Sequence, residues 1–404
     1  MARSGSVIFL LAALLLSPPA QARQTVLLVS IDGFRADYLD RGDTPALAAL
    51  AKQGVRAAMR PAFPSVTFPN HYTLVTGLYP DHHGIVDNTM DDPSLAHSHF
   101  TLSDHEAVAD PAWWQEGTPI WVTLQRQGGQ AATLFWPGSE AEIHGIRPDR
   151  WLPYDQKMPD AERVARLLSW LDGPAATRPD FLTLYFDRVD SAGHHAGPDS
   201  PALDQALADI DGAVAQLIAG LKQRGLFDKM DLVIVADHGM TALAPERTIY
   251  IDDYVSPDSV HIVSGGAMMG LNPVAGQEAP IEQALLSPKE HMTCRKKQDM
   301  PERFHYGANP RVPAILCLAE SGWLVTSHAD AAKKKEPYRG THGYDNALPE
   351  MAALFIAFGP DFRRHEVHAP FDNVDVYPLL AKLLGMTPEP NDGKLSDVRD
   401  MLIR

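Results

Sequence analysis

The sequence predicts an α/β protein with a mostly parallel central sheet covered on both faces by helices. Short, continuous apolar runs of strand length recur along the chain, segments of helical periodicity lie between them, and neither repeats nor low-complexity tracts interrupt the alternation. QTVLLVS (Gln24 to Ser30) is the first such run, apolar on both faces, and it stops at Ile31-Asp32-Gly33. TPALAALAKQG follows as a helix, with Thr44 as cap, Pro45 at its first position and Gly54 just past its end. Further buried strands are expected at AATLF (Ala131 to Phe135), FLTLYF (Phe181 to Phe186), DLVIVA (Asp231 to Ala236) and AALFIAF (Ala352 to Phe358). The clearest helix between them runs from Ala202 to Arg224 and closes at Gly225. From about Tyr254 to Gly340 the rhythm gives way to Pro-, Gly- and charge-rich sequence, which we read as a smaller irregular insertion at about 254–340 within one large domain spanning 23–404. The lysine run Lys333 to Pro337 reads as a solvated loop.

The amino terminus has the build of an export leader: Arg3, an apolar run from Val7 to Leu16, and the small-residue site Ala20-Gln21-Ala22. Residues 1–22 are therefore expected to be a signal peptide, and the mature protein to be exported, periplasmic in a bacterium and secreted otherwise. No later apolar run is long enough to span a bilayer. Lys+Arg 35 against Asp+Glu 51 gives a net charge of -16, which argues against nucleic acid as an electrostatic partner while leaving room for a small anionic substrate near a local cation. In an oxidising compartment the two cysteines, Cys294 and Cys317, are expected to form one disulfide.

In an open parallel sheet ligands bind beyond the carboxyl ends of the strands, so the polar residues directly after each apolar run carry the functional expectation. They are Asp32 after the first run, Asp190 and His194 after FLTLYF, Asp237 and His238 after DLVIVA, and His342 in GTHG before the last. Singly, each has a plain explanation as a turn, cap or surface residue. Together, their carboxylate oxygens and imidazole nitrogens suit zinc, and six of them make two three-ligand sites with open positions. PSVTFPNHY then raises the standing of Thr67. A threonine before a helix is usually a cap or turn former, but two divalent cations, three aspartates and one alkoxide sum to neutrality, and metal coordination activates an otherwise weak hydroxyl nucleophile.

Six segments in order, SIDGFRADYL, PSVTFPNHYTLVTGLYPDHHGIVDN, GTPIWVTLQRQGG with FWPGSE, DRVDSAGHHAGPDS, VADHGM and GTHGYDNALPEMAALFIAFGP, resemble the nucleotide pyrophosphatase/phosphodiesterase family of the alkaline phosphatase superfamily. The likeness covers nearly all of the mature chain. It implies an alkaline-phosphatase-like α/β/α sandwich and a hydrolase with two zinc ions per chain that releases a nucleoside 5′-monophosphate through a phosphothreonine intermediate. Carried over by position, Asp32, Thr67, Asp237 and His238 hold the nucleophile-side zinc, and Asp190, His194 and His342 the leaving-group-side zinc. Asn88 in GIVDN matches the asparagine that donates to a non-bridging phosphate oxygen; read alone it is a turn residue. Phe68 directly follows the nucleophile and offers its ring to a base, and the comparison suggests Tyr154 in RWLPYDQ as a second ring opposite; otherwise Phe68 is core filling and Tyr154 a loop anchor.

Three alternatives stand beside this reading. A phosphomonoesterase of the same superfamily would call for additional cationic clamps, for which Arg35, Arg188, Arg147 and Arg150 are the candidates. Lysophospholipid or choline-phosphate diesters, which the resemblance also allows because relatives of the same family handle them, are a second alternative. A metal-dependent binding protein without turnover is the alternative from another class, against which the retention of Thr67 argues. The context of Thr67 argues against a sulfatase, since it lacks the Cys or Ser followed by x-Pro-x-Arg.

Overall fold

The computed structural model describes residues 23–333 and 336–403, so the expected leader lies outside the described residues. Its centre is a nine-stranded sheet whose path runs Glu366–Val367, Val55–Arg60, Ala353–Phe358, Met230–Val235, Thr25–Ile31, Phe181–Phe186, Ala131–Leu134, Arg150–Trp151, with Phe371–Asp372 also pairing Val55–Arg60. Ala353–Phe358 is antiparallel to both its neighbours, and every other pairing is parallel. The middle of the sheet explains the apolar runs: Val29 lies between Leu184 and Ile234 in register, and all three are fully buried. Each such side chain removed from water contributes about 1.5–3 kcal/mol before chain entropy is counted.

Helices pack on these strands much as the periodicity anticipates. The longest, Pro201–Gln223, begins where the Ser200 hydroxyl accepts the Leu203 amide at 3.2 Å, and Gly225 follows it at φ +62°. The helix Pro45–Gln53 departs from expectation at its start. Thr44 makes no side-chain capping bond there; the amides of Ala46 and Leu47 instead donate to the Asp211 carboxylate at 2.9 and 2.8 Å. A distant carboxylate, with one oxygen for each, accepts two orphan helix amides in place of the local hydroxyl.

Regular structure is present within the stretch whose composition suggested irregularity. Val260–Ser264, Met268–Pro273, Ile315–Ala319 and Met292–Lys296 form a four-stranded antiparallel sheet in that order, backed by the helix Glu278–Leu285. Leu271, Leu285, Cys317 and Val325 belong to its own apolar cluster. Cys294 and Cys317 are directly opposed on adjacent strands and joined by a disulfide. Phe304 stacks on Phe63 at 4.1 Å, which ties this unit to the main core. Among the described residues no helix is long and apolar enough to cross a membrane.

Candidate active site

The carboxyl ends of the central strands bring the polar residues together. Asp32 follows Thr25–Ile31, Asp237 and His238 follow Met230–Val235, and Asp190 and His194 share one face of the helix Arg188–Ala196 at i, i+4 spacing. His342 follows the two-residue strand Gly340–Thr341. Two groups of possible metal ligands result, Asp32 with Asp237 and His238, and Asp190 with His194 and His342; within each group the ligand atoms lie within 4.8 Å of one another. The groups adjoin, for the rings of His238 and His342 stack with centroids 3.5 Å apart. Gly33 permits this convergence: at φ +68°, a side chain there would meet the Asp190 backbone at 2.9 Å.

Hydrogen bonds fix which nitrogen each histidine presents. Nδ1 of His194 donates to Gly340 O, that of His238 to Gly239 O and that of His342 to Ser65 O, each at 2.9 Å. Carbonyl oxygens only accept, so these protons are committed and Nε2 is the atom turned to the site. His194 Nε2 lies 3.1 Å from His342 Nε2, and His238 Nε2 lies 2.9 Å from Asp237 Oδ2. Facing lone pairs at those separations call for a cation between them.

The carboxylates show the same demand. Tyr185 donates to Asp32 Oδ2 at 2.6 Å and the Gly33 amide to Asp237 Oδ1 at 3.1 Å, while the other oxygen of each, and Asp190 Oδ1, are buried without a hydrogen-bond partner. Burial, reinforced by the charges of Asp237 and Asp190, pushes the Asp32 carboxyl well above its ordinary range. Burial also opposes the charge on Asp237, but His238 and His71 outweigh it and hold that carboxyl well below. Burial lowers His238, yet Asp237 reverses the sign and raises it overall, so positive charge is favoured at that point. His342, by contrast, is driven well down by burial and by His238 and His194, which leaves it neutral as a ligand must be. Orphan carboxylate oxygens and bare imidazole nitrogens in two triads fit a pair of divalent cations.

Thr67 opens the helix Thr67–Thr76, whose cap position belongs to Val66. Its Oγ1 lies 3.3 Å from His238 Nε2, beside the first triad. A cleft of about 630 Å³ extends from there, lined by Phe68, Asn88 and Tyr154, by Asp32 of the first triad and by all three residues of the second. The Asn88 carbonyl accepts the Phe68 amide at 2.8 Å, so its amino group is the donor that remains. Phe68 is half-buried and packs edge-on against Phe100 at 5.7 Å, while Tyr154 packs edge-on against Phe135 at 5.4 Å and Tyr185 at 5.9 Å. Lys157 is the one lysine or arginine in the lining among the described residues. The four arginines considered as clamps are engaged elsewhere: Arg35 with Asp37, Arg188 with Asp160, Arg147 with Glu140 O, and Arg150 with Trp170 O.

Two supporting residues carry no signal in strand-end spacing. His71 is fully buried, donates through Nδ1 to Thr67 O at 2.9 Å and accepts at Nε2 from the Ser30 hydroxyl at 2.8 Å. Tyr185, which holds Asp32, lies inside a strand that reads as uniformly apolar. The i, i+4 relation of His71 to Thr67 on one helix is the signal that points to the first.

Comparison with known proteins agrees with this geometry. Residues 26–345 match the family model described as type I phosphodiesterase / nucleotide pyrophosphatase. The chain is 38% identical over 400 residues to human ectonucleotide pyrophosphatase/phosphodiesterase family member 5, covering 98% of this chain and 82% of that one. It is 38% identical over 384 residues to an uncharacterized pyrophosphatase/phosphodiesterase of Schizosaccharomyces pombe, covering 92% and 79%. Against rat family member 3 it is also 38% identical, but it spans only 44% of that longer protein. The solved structure of human member 5 superposes with a TM-score of 0.90 at 38% identity, over 94% of this chain and 100% of that one. An inactive threonine-to-alanine variant of the murine member 5, in complex with AMP, gives 0.89 at 36% identity, over the same shares.

Proposed function

Because the chain belongs to the type I phosphodiesterase / nucleotide pyrophosphatase family, we propose that it hydrolyses phosphodiester or pyrophosphate bonds of nucleotides at two zinc ions, with Thr67 as nucleophile. The observation that carries this reading is the pair of Asp/His triads beside the Thr67 hydroxyl, each with unpartnered ligand atoms. Asp32, Asp237 and His238 with Thr67 would hold one ion, and Asp190, His194 and His342 the other. Bound there, the ions would act as Lewis acids on the attacking and departing oxygens and lower the pKa of a hydroxyl or water.

The chain's own residues do the rest. Thr67 Oγ1, its proton released to solvent, forms a bond to phosphorus as the bond to the leaving oxygen breaks, and the leaving group keeps that electron pair and is protonated by solvent as its basicity requires. Water then attacks the same phosphorus and gives up a proton, the bond to Thr67 breaks, Thr67 Oγ1 regains a proton, and a nucleoside 5′-monophosphate departs. Asn88 donates its amino group to a non-bridging oxygen throughout. Phe68 and Tyr154 wall the cleft for a base, and the AMP complex of the murine relative supports a nucleoside monophosphate as the unit held. Among the described residues the lining holds no arginine, which favours a diester over a more anionic monoester. The composition of residues 1–22 and the disulfide support export to an oxidising compartment.

A substrate panel tests the proposal. With the mature protein loaded with zinc, a nucleotide diester should turn over far faster than nucleoside and aryl monophosphates, and a chelator should abolish the activity. Faster monoester cleavage, or full activity after metal removal, overturns it.

A further inference from the structure

The insertion reaches into the main core through one buried guanidinium. Arg311 is 6% exposed; its Nη1 donates to Gly84 O at 2.8 Å and Trp113 O at 2.9 Å, and its Nε to Asp92 Oδ2 at 2.9 Å. Gly84 makes that approach possible, since at φ +77° any side chain would sit 2.7 Å from the guanidinium. Five residues earlier the Tyr306 hydroxyl donates to Val86 O at 3.0 Å, and between them Asn309 Nδ2 donates to Asp81 O at 3.1 Å. The segment from Asp81 to Asp92 is thus pinned at both ends and near its middle from the insertion. Asn88 sits between those pins, with Oδ1 against the Phe68 amide and its amino group left for the substrate.

We infer that Arg311, assisted by Tyr306, is a positioning residue that fixes Asn88 against phosphate, so that these two residues of the insertion bear on turnover without touching substrate. The inference rests on the role proposed for Asn88. Arg311 does not line the cleft, so any effect of it on chemistry must pass through the loop it holds. A planar group with five donors can grip two carbonyls and a carboxylate at once; an ammonium at the same place cannot span them.

A double-mutant cycle in the zinc-loaded mature enzyme tests this, with kcat and KM on a nucleotide diester and, separately, the calorimetric affinity for AMP as readouts. Asn88→Ala should cost on the order of 10²-fold in kcat, as loss of one transition-state donor does. Arg311→Lys should cost about ten-fold or more alone and nothing further in the Asn88→Ala background, and the AMP affinities should follow the same pattern. Tyr306→Phe, which removes a single hydroxyl and needs no refolding of the clamp, should repeat the pattern at smaller size and decides the matter if Arg311→Lys does not fold. Losses that multiply in the double variants overturn the inference while leaving the proposed function intact. A harmless Asn88→Ala overturns both the role of Asn88 and the inference built on it.

Discussion

Thr67 stands at the first position of its helix, yet its hydroxyl lies against His238 rather than serving as a cap, and the helix amino terminus adds favourable potential for an anion there. Thr67→Ala should lower kcat on the order of 10³-fold or more while metal content and AMP binding persist, and Thr67→Ser should keep part of the rate because it keeps the hydroxyl. An alanine variant that turns over near the parent rate would make water the nucleophile. Phe68→Ala separates recognition from support: kcat/KM for a nucleotide diester should drop by tens-fold, in line with about 1–3 kcal/mol per stacked base, while a methyl phosphodiester loses far less. Equal losses would reduce Phe68 to a prop for Thr67. Asp32, Asp190, His194, Asp237 and His238 were legible because each follows a buried strand and because ligand chemistry restricts residue type. Tyr185 and His71 were not, since a residue that holds a ligand in place by one hydrogen bond leaves no spacing pattern behind.

At the scale of elements, the central strands fall within about one residue of their expected bounds because burial on both faces makes the apolar run and the strand the same object. The insertion hides its sheet for the opposite reason. Met292–Lys296 buries Met292 and Cys294 but turns Thr293 outward, so its sequence reads as mixed and polar although the strand is regular. Thr44 shows a different blind spot, for the carboxylate that accepts its helix's amides comes from Asp211, far along the chain. The disulfide closes the loop between two of the insertion's strands; replacing both cysteines by serine should lower stability by about 3 kcal/mol in the chain-entropy picture, read by denaturant unfolding, and an unchanged midpoint would show that the sheet stands without it. On the strand Met230–Val235, burial pushes the Asp231 carboxyl up to about 7. A raised folded-state pKa means the native protein binds the extra proton, so this group costs nothing below the ordinary carboxylate range and progressively more as pH climbs from there to about 7. Asp231→Asn should therefore raise the melting temperature at pH 8 and leave it nearly unchanged at pH 4; a shift of equal size at both values would rule out the titration.

Across the whole molecule, strands that run the same way deliver their carboxyl ends to one edge, and that topology alone collects an aspartate from three separate strands and a threonine from a fourth connection. The outline of the fold and the gathering of the Asp and His side chains into two candidate ligand groups were readable because both follow from patterns local to each strand. How the insertion clasps the loop around Asn88 was not, because Arg311 and Gly84 are distant in sequence and either alone has an ordinary explanation. The central claim is that Thr67 carries the phosphoryl group during turnover. Acid quenching of the zinc-loaded enzyme during the first turnovers of a nucleotide diester, followed by peptide mass spectrometry, tests it directly. The expected result is a nucleoside monophosphate attached to Thr67, present in the parent and missing from Thr67→Ala. Rapid hydrolysis in ¹⁸O-labelled water with inverted configuration at a chiral phosphorothioate diester, and no adduct on Thr67 at any time, would contradict it.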